Sequence, residues 1–342
     1  MNRLFKKTLS LMLVIVMTVS LGVSAAAADQ TGAAQAEGPL GIVSAMSVEL
    51  NALVEATKIS KTEEIAGNTF YEGVLNGVDV VLVKAGIGKV LAVASGKGGV
   101  GKSTVTANLA LTLRNMGYRV GILDADIYGP SQPKMFGVEG YMPEAVAEDG
   151  VDHIVPAESM DVKLMSIGFF IKPTDALLWR GAMAVSALKQ MIHQTRWGTL
   201  DFLLTDLPPG TGDVHLSIIG ELKIDAAVIV STPQQIAVAD VVRGVEMFRN
   251  ENVNIPVAGI VENMAWFTPA ELPENRYYIF GRGGARAYAE KNGVEFLGEI
   301  PIIQSIMDGA DAGTPAAGID FRVEEHYRGI AEKIVGKVMK NG

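Results

Sequence analysis

The sequence predicts an α/β fold: a mostly parallel sheet flanked by helices, with a small N-terminal α/β fragment in front of it. Three observations carry that prediction. From Val90 onward, short and wholly apolar runs alternate with longer segments of helical spacing, the pattern of parallel strands covered on both faces. Between the first such strand and the first such helix stands Ser95-Gly96-Lys97-Gly98-Gly99-Val100-Gly101-Lys102-Ser103-Thr104, which fits G-x-x-x-x-G-K-[ST]. Two later strands end in carboxylates, Asp124 with Asp126 and then Asp206, at the sheet edge where such folds bind ligands.

Taken in order, the chain begins with Lys6 and Lys7, an apolar run from Leu9 to Leu21, and small residues through Ala28. That pattern predicts a secretion signal over residues 1–28, too short for a membrane span and the one part expected to touch a membrane. Residues 29–38 are small and polar and predict a linker. Residues 39–89 predict the small fragment: a strand at Leu40–Ala45, then a helix capped by Ser47 with Leu50, Leu53 and Val54 on one face. Two strands follow at 69–75 and 78–84, joined by the hairpin turn Asn76-Gly77.

Residues 90–342 predict one large domain. After the strand Val90–Ala94, strands are expected at 119–124, 162–166, 201–206, 225–231, 256–261 and 295–299. Helices are expected at 102–116, 181–194, 213–221, 235–249, 281–292 and 322–339.

Composition bounds the chemistry. Of 342 residues, 49 % are hydrophobic and 20 % charged, ample for a packed core. The net charge of −9 argues against a nucleic-acid partner, which favours a basic surface. The chain has no cysteine, which excludes disulfides and any thiolate ligand to a metal or cluster from this chain. His153, His193, His215 and His326 are scattered, without the helical pairing of metal ligands, and are expected to be core or surface residues.

The glycine loop specifies a site for a nucleoside triphosphate. Gly96, Gly98, Gly99 and Gly101 let main-chain N–H groups, that of Val100 among them, approach phosphate oxygens. The helix that follows points its positive end at the same oxygens. Lys102 would reach the β- and γ-phosphates, and the Ser103 hydroxyl would ligate Mg²⁺ with Thr104 close by. Asp126 is placed to orient the attacking water or sense the γ-phosphate. Asp124 either supports the metal shell or caps a turn. Asp206 is the expected Mg²⁺-side carboxylate, acting through water, and Pro208-Pro209-Gly210-Thr211-Gly212 after it would be a γ-phosphate switch.

Two resemblances refine this reading. Gly41 to Glu49, and Leu75-Asn76-Gly77 through Gly86-Ile87-Gly88-Lys89-Val90, resemble the N-terminal part of 5′-methylthioadenosine/S-adenosylhomocysteine nucleosidase. That resemblance implies Glu49 as the acid near the attacking water, but the family's later purine and ribose motifs have no counterpart here. From about residue 90 to 342, SGKGGVGKST, LDADIYGPSQPKMFG, TDLPPGTGD, STPQQIAVADV, VENMAWF and FLGEIP together resemble the Mrp (ApbC) family. These are P-loop NTPases of the deviant Walker A group that also holds MinD and ParA. The resemblance implies a homodimeric Mg-ATP-dependent ATPase in iron–sulfur cluster carriage, with apo iron–sulfur proteins as clients.

By the same resemblance Lys97 reaches across the dimer to the partner's phosphates, making Lys97, Lys102 and Asp126 the catalytic set. Asn263 would read the adenine, with main chain near Pro301 closing over the base. The family often carries C-x-x-C after its ENM motif. Here Phe267 to Asn275 stand in that place, and Glu271 and Glu274 are poor substitutes for thiolates at a cluster. The export signal conflicts with an ATPase, whose function favours the cytoplasm. Other readings are a MinD- or ParA-like positioning ATPase whose C-terminal segment, Ile330 to Met339, lies on a membrane, and a nucleosidase. The two similar glycine–lysine strings around residues 86–102 also suggest a chimera joined between them.

Overall fold

In the computed structural model the described residues are 40–44, 47–65, 68–84, 86–148, 151–170 and 181–339. The expected secretion signal and linker lie outside the described residues. The chain divides into two compact units, one ending at Gly86 and the other starting at Ile87.

The first unit contains β1 (Leu40–Ser44), α1 (Ser47–Ala56), β2 (Lys58–Ile65), β3 (Asn68–Leu75) and β4 (Val78–Lys84). Its sheet has the order β1-β4-β3-β2, with β1 parallel to β4 and the other pairs antiparallel. Asn76 and Gly77 both take positive φ, 53° and 87°, as a two-residue hairpin turn matched to strand twist requires. Leu50, Val80 and Leu82 make a small core, with Leu53 and Val54 packed against it. Strand β2 is not foreseen from sequence. Lys58 to Glu63 are all exposed, so it is held by backbone pairing at a sheet edge and carries no apolar pattern.

The second unit runs β5 (Ile87–Ala94), α2 (Lys102–Asn115), β6 (Val120–Asp124), α3 (Gln132–Met135), β7 (Ala145–Glu148), β8 (Val151–Ile154), β9 (Ala157–Ser159) and β10 (Val162–Ser166). It continues with α4 (Gly181–Gln194), β11 (Leu200–Asp206), α5 (Asp213–Glu221), β12 (Ala226–Ser231), α6 (Gln235–Arg249), β13 (Val257–Phe267), α7 (Gly284–Lys291), β14 (Phe296–Ile302), α8 (Gln304–Asp311) and α9 (Phe321–Val338). Eight strands form one sheet in the order β14-β13-β12-β5-β11-β6-β10-β9. Every neighbouring pair is parallel except β9 with β10. Strands β6, β11 and β12 are buried along their whole length, which is why they read as unbroken apolar runs.

The start of the first strand of this unit differs from expectation. Strand β5 starts at Ile87 rather than Val90, because Ile87 and Lys89 already pair with Leu200 and Phe202. The Asp225 carboxylate fixes this stretch, accepting from Lys89 Nζ at 3.3 Å and from the Val90 N–H at 2.8 Å. At the other end, α9 is not available to a membrane. Its apolar face, including Val323, Tyr327, Ile330, Ile334 and Val338, is buried. Lys333 donates to the carbonyls of Phe296 and Leu297, and Lys337 to that of Ala258, so these lysines close strand ends. No helix among the described residues is long and apolar enough to cross a membrane.

Candidate active site

The glycine loop joins the C-terminal end of β5 to the start of α2, at the centre of the sheet. Gly96 is required by close approach, since a Cβ there would collide with the main-chain carbonyl of Asp240 on α6. Gly101 takes φ 81°, and a Cβ would land on the Asn263 amide nitrogen. Gly99 also has positive φ, at 80°, with open space around it, while Gly98 is exposed and a Cβ there would lie 3.9 Å from the Pro209 ring. No side chain caps α2, so its first turn offers N–H groups to an anion. Lys97 sits half-buried in the loop, its carbonyl accepting from Ser95 Oγ at 2.9 Å.

Lys102 is the hub. Only 6 % exposed, its Nζ lies 2.5 Å from Asp206 Oδ1 and 3.5 Å from Asp126 Oδ2, and donates to Ser103 Oγ at 3.2 Å. Burial opposes its charge most strongly, but Asp206 and Asp126 together hold its pKa above the ordinary lysine value. Asp206 ends β11 fully buried; Thr106 Oγ1 donates to its Oδ1 at 3.3 Å, and Gln132 Nε2 to its Oδ2 at 2.9 Å.

Asp124 makes turn contacts. Its Oδ1 accepts the Asp126 N–H at 3.3 Å, and its Oδ2 accepts from Ser166 Oγ at 2.9 Å and the Gln132 N–H at 3.2 Å. Complete burial and the nearby Asp206 charge push its pKa up to about 7. Burial also raises the pKa of Asp126, against the pull of Lys102, and Asp126 Oδ1 accepts the Tyr128 N–H at 3.2 Å.

The Pro-Pro-Gly loop is bound to the glycine loop. The Gly210 N–H donates to the Ser95 carbonyl at 2.9 Å. His215, buried on α5, donates from Nε2 to the Pro208 carbonyl at 2.6 Å, and burial holds its pKa below the usual value. Asn263 donates from Nδ2 to the Val100 carbonyl at 2.9 Å, and Ile300, beside the buried Pro301, is its partner across β13 and β14. A register shift follows Asn263, and Met264 takes the uncommon φ of 57° there.

The structure therefore gathers Gly96, Lys97, Gly98, Gly99, Val100, Gly101, Lys102, Ser103, Thr104, Asp126, Asp206, Asn263 and Pro301 around one sheet edge. Glu49 lies on α1 of the first unit, and its side chain is outside the described residues. Gln132, Ser166, Thr106 and His215 were not foreseen as members of the site. Gln132 falls inside LDADIYGPSQPKMFG, and His215 follows the Pro-Pro-Gly loop; proximity to those motifs is the one signal the sequence offers for them.

The residues present fit a magnesium nucleotide. Among the described residues, buried polar side-chain atoms without a partner include Gln132 Oε1, Thr205 Oγ1, His215 Nδ1 and Thr232 Oγ1, all at or beyond the carboxyl ends of β6, β11 and β12. The Ser103 hydroxyl, one strand-end carboxylate and phosphate oxygens suffice for Mg²⁺, which keeps several of its waters. An iron–sulfur cluster finds no such donors: there is no cysteine, and among the described residues no group of three His, Asp or Glu side chains could hold a metal.

Comparison with known proteins agrees with this architecture. The ParA family, described as NUBPL iron-transfer P-loop NTPase, matches residues 86–336. The chain is 45 % identical over 260 residues to the iron–sulfur cluster carrier protein of Aquifex aeolicus, a match covering 75 % of this chain and 69 % of that one. It is 42 % identical over 252 residues to the iron–sulfur cluster transfer protein NUBPL of Dictyostelium discoideum, covering 73 % and 76 %. Among solved structures, a nucleotide-binding protein from Archaeoglobus fulgidus in complex with ADP is 40 % identical, with TM-score 0.58 over 70 % of this chain and 90 % of that one. The Pyrococcus furiosus cell division ATPase MinD shares the fold at TM-score 0.54 and 21 % identity, over 73 % and 100 %. The α/β sheet with its glycine loop is thus a P-loop NTPase fold, and the chain belongs to the ParA family of NUBPL-type iron-transfer P-loop NTPases.

Proposed function

We propose that the second unit binds and hydrolyses Mg-ATP as a homodimer, and serves iron–sulfur protein assembly as a nucleotide-gated switch. The observation that carries this reading is Lys102, a buried ammonium held on Asp206 and Asp126 beside the uncapped start of α2. Phosphate oxygens would take the N–H groups of residues 98–104, and Lys102 would exchange carboxylate for the β- and γ-phosphates. Ser103 would hold Mg²⁺, and Asp206 would do so through water; the ion, when bound, spreads the charge of the transferring phosphoryl group. Asp126, a carboxylate beside Lys102, would orient the attacking water. Asn263, with the main chain at Pro301, would take the adenine, and Lys97 would complete the partner's site.

The relatives' names supply the cargo, an iron–sulfur cluster, and apo iron–sulfur proteins are the clients that such a cargo implies. The thiolates that hold such a cargo must come from another molecule, since this chain has none. Residues 39–89 as an appended fragment, the mark of a chimera, complete the reading, and the ATPase function favours the cytoplasm against the export signal of residues 1–28. Steady-state ATP hydrolysis by the purified chain tests it. The wild type should turn over ATP with Mg²⁺ and Lys102→Ala should not; equal rates in both proteins would refute it.

A further inference from the structure

Gln132 is fully buried where four parts of the site meet. Its main-chain N–H donates to Asp124 Oδ2 at 3.2 Å. Its side-chain nitrogen donates to the Ser103 carbonyl at 3.0 Å and to Asp206 Oδ2 at 2.9 Å. Both partners of that nitrogen can only accept, so the orientation of the amide is fixed by chemistry. The other end, Oε1, is buried without any donor.

An unmet buried acceptor opposes folding, so a hydrophobic side chain of similar size would serve packing better. The amide instead contacts two of the groups expected to handle Mg²⁺, the Ser103 residue and the Asp206 carboxylate. Asp206 is held on Oδ1 by Lys102 and Thr106 and on Oδ2 by Gln132. If Lys102 moves to phosphate, Gln132 remains to fix the carboxylate plane. Its main chain sits on Asp124, whose other oxygen holds the Asp126 N–H, and Asp126 in turn holds that of Tyr128, a side chain 74 % exposed.

We propose that Gln132 is a positioning residue: its amide nitrogen aims Asp206 at the metal side of the nucleotide, and its free carbonyl accepts a donor that arrives with the magnesium nucleotide, such as a metal-bound water. Occupancy is thereby tied to the segment that carries Asp126 and Tyr128. This inference rests on the nucleotide reading above, and its test separates the two.

ADP affinity is measured on the full chain, with Mg²⁺ and with EDTA, for the wild type, Gln132→Leu and Gln132→Met. Urea unfolding of each protein without nucleotide is the control. The wild type should bind ADP more tightly with Mg²⁺. Both variants should stay folded, keep the wild-type affinity in EDTA, and lose about tenfold of the gain from Mg²⁺, the usual scale for a group supporting a metal ligand. Variants that keep the full Mg²⁺ gain overturn the inference and leave the nucleotide reading standing. Equal loss in EDTA and in Mg²⁺ also overturns it, as a general disturbance of the pocket. If one variant unfolds, the other decides. A wild type that binds no ADP under either condition overturns both.

Discussion

Replacing Lys102 with methionine keeps the length of the side chain and removes the cation that faces Asp206, Asp126 and Asp124. The lysine is 6 % exposed, and the carboxylates of Asp124 and Asp206 are completely buried. Removing one partner of a buried ion pair leaves uncompensated charge and costs ~3–5 kcal/mol. The second unit should lose stability on that scale at pH 8 without nucleotide, a fall in Tm on the order of 10 °C. The loss should shrink at lower pH, and the sign follows from Asp124. Its folded pKa of about 7 lies above the ordinary carboxylate value, so its ionisation opposes folding increasingly as pH rises through 7. Without Lys102, Asp124 and Asp126 hold their protons further still, so acid relieves the variant more than the wild type. Urea titrations at pH 8 and at a pH below the Asp124 pKa of about 7 measure this. All three tryptophans, Trp179, Trp197 and Trp266, follow Ile87, so their fluorescence reports the second unit. A variant as stable as the wild type at pH 8 would show that the cluster is not the buried charge network described.

Further outcomes follow from the same contacts. The wild type itself should lose stability without nucleotide as pH rises through about 7, and Asp124→Asn should flatten that dependence in urea midpoints against pH. Gly96→Ala should cost ~1–3 kcal/mol and weaken ADP binding, because its methyl group meets the Asp240 carbonyl; unchanged binding by calorimetry would contradict the packing described. His215→Ala should release the Pro208 carbonyl and speed hydrogen exchange at the Gly210 N–H, while exchange across β11 stays slow. Lys97→Ala should reduce turnover where dimers form; an equal loss in a demonstrably monomeric sample would argue against its cross-dimer role.

Much of the second unit was legible because its strands are buried on both faces. The runs around Leu91, Ile122, Leu203 and Ile229 leave no other assignment, and the glycine loop fixes where the ligand edge lies. The segments that escaped are those held by backbone pairing or by a few contacts: the exposed edge strand at Lys58–Ile65, the short hairpin of β7 and β8, and α8. The site divided in the same way. Lys102, Ser103 and Asp206 belong to motifs whose spacing states their chemistry. Gln132 and His215 reach the site through tertiary contacts with Asp206 and Pro208, which no local pattern encodes. For Asp124 the sequence offered two roles, and in the fold its carboxylate accepts from Ser166 Oγ and the N–H groups of Gln132 and Asp126. The amphipathic C-terminal helix reads from its pattern as docked on the sheet before it reads as membrane-bound, and its lysines close the ends of β13 and β14.

The claim most in need of a direct test is that a chain without thiolates drives iron–sulfur assembly through its nucleotide site. The measurement is anaerobic maturation of an apo iron–sulfur acceptor from a cysteine-bearing cluster donor, followed spectroscopically with and without this protein and Mg-ATP. Faster maturation is expected only when the protein and Mg-ATP are both present, with none of that gain for Lys102→Ala. A rate that ignores Mg-ATP, while the protein hydrolyses ATP normally, would contradict that claim.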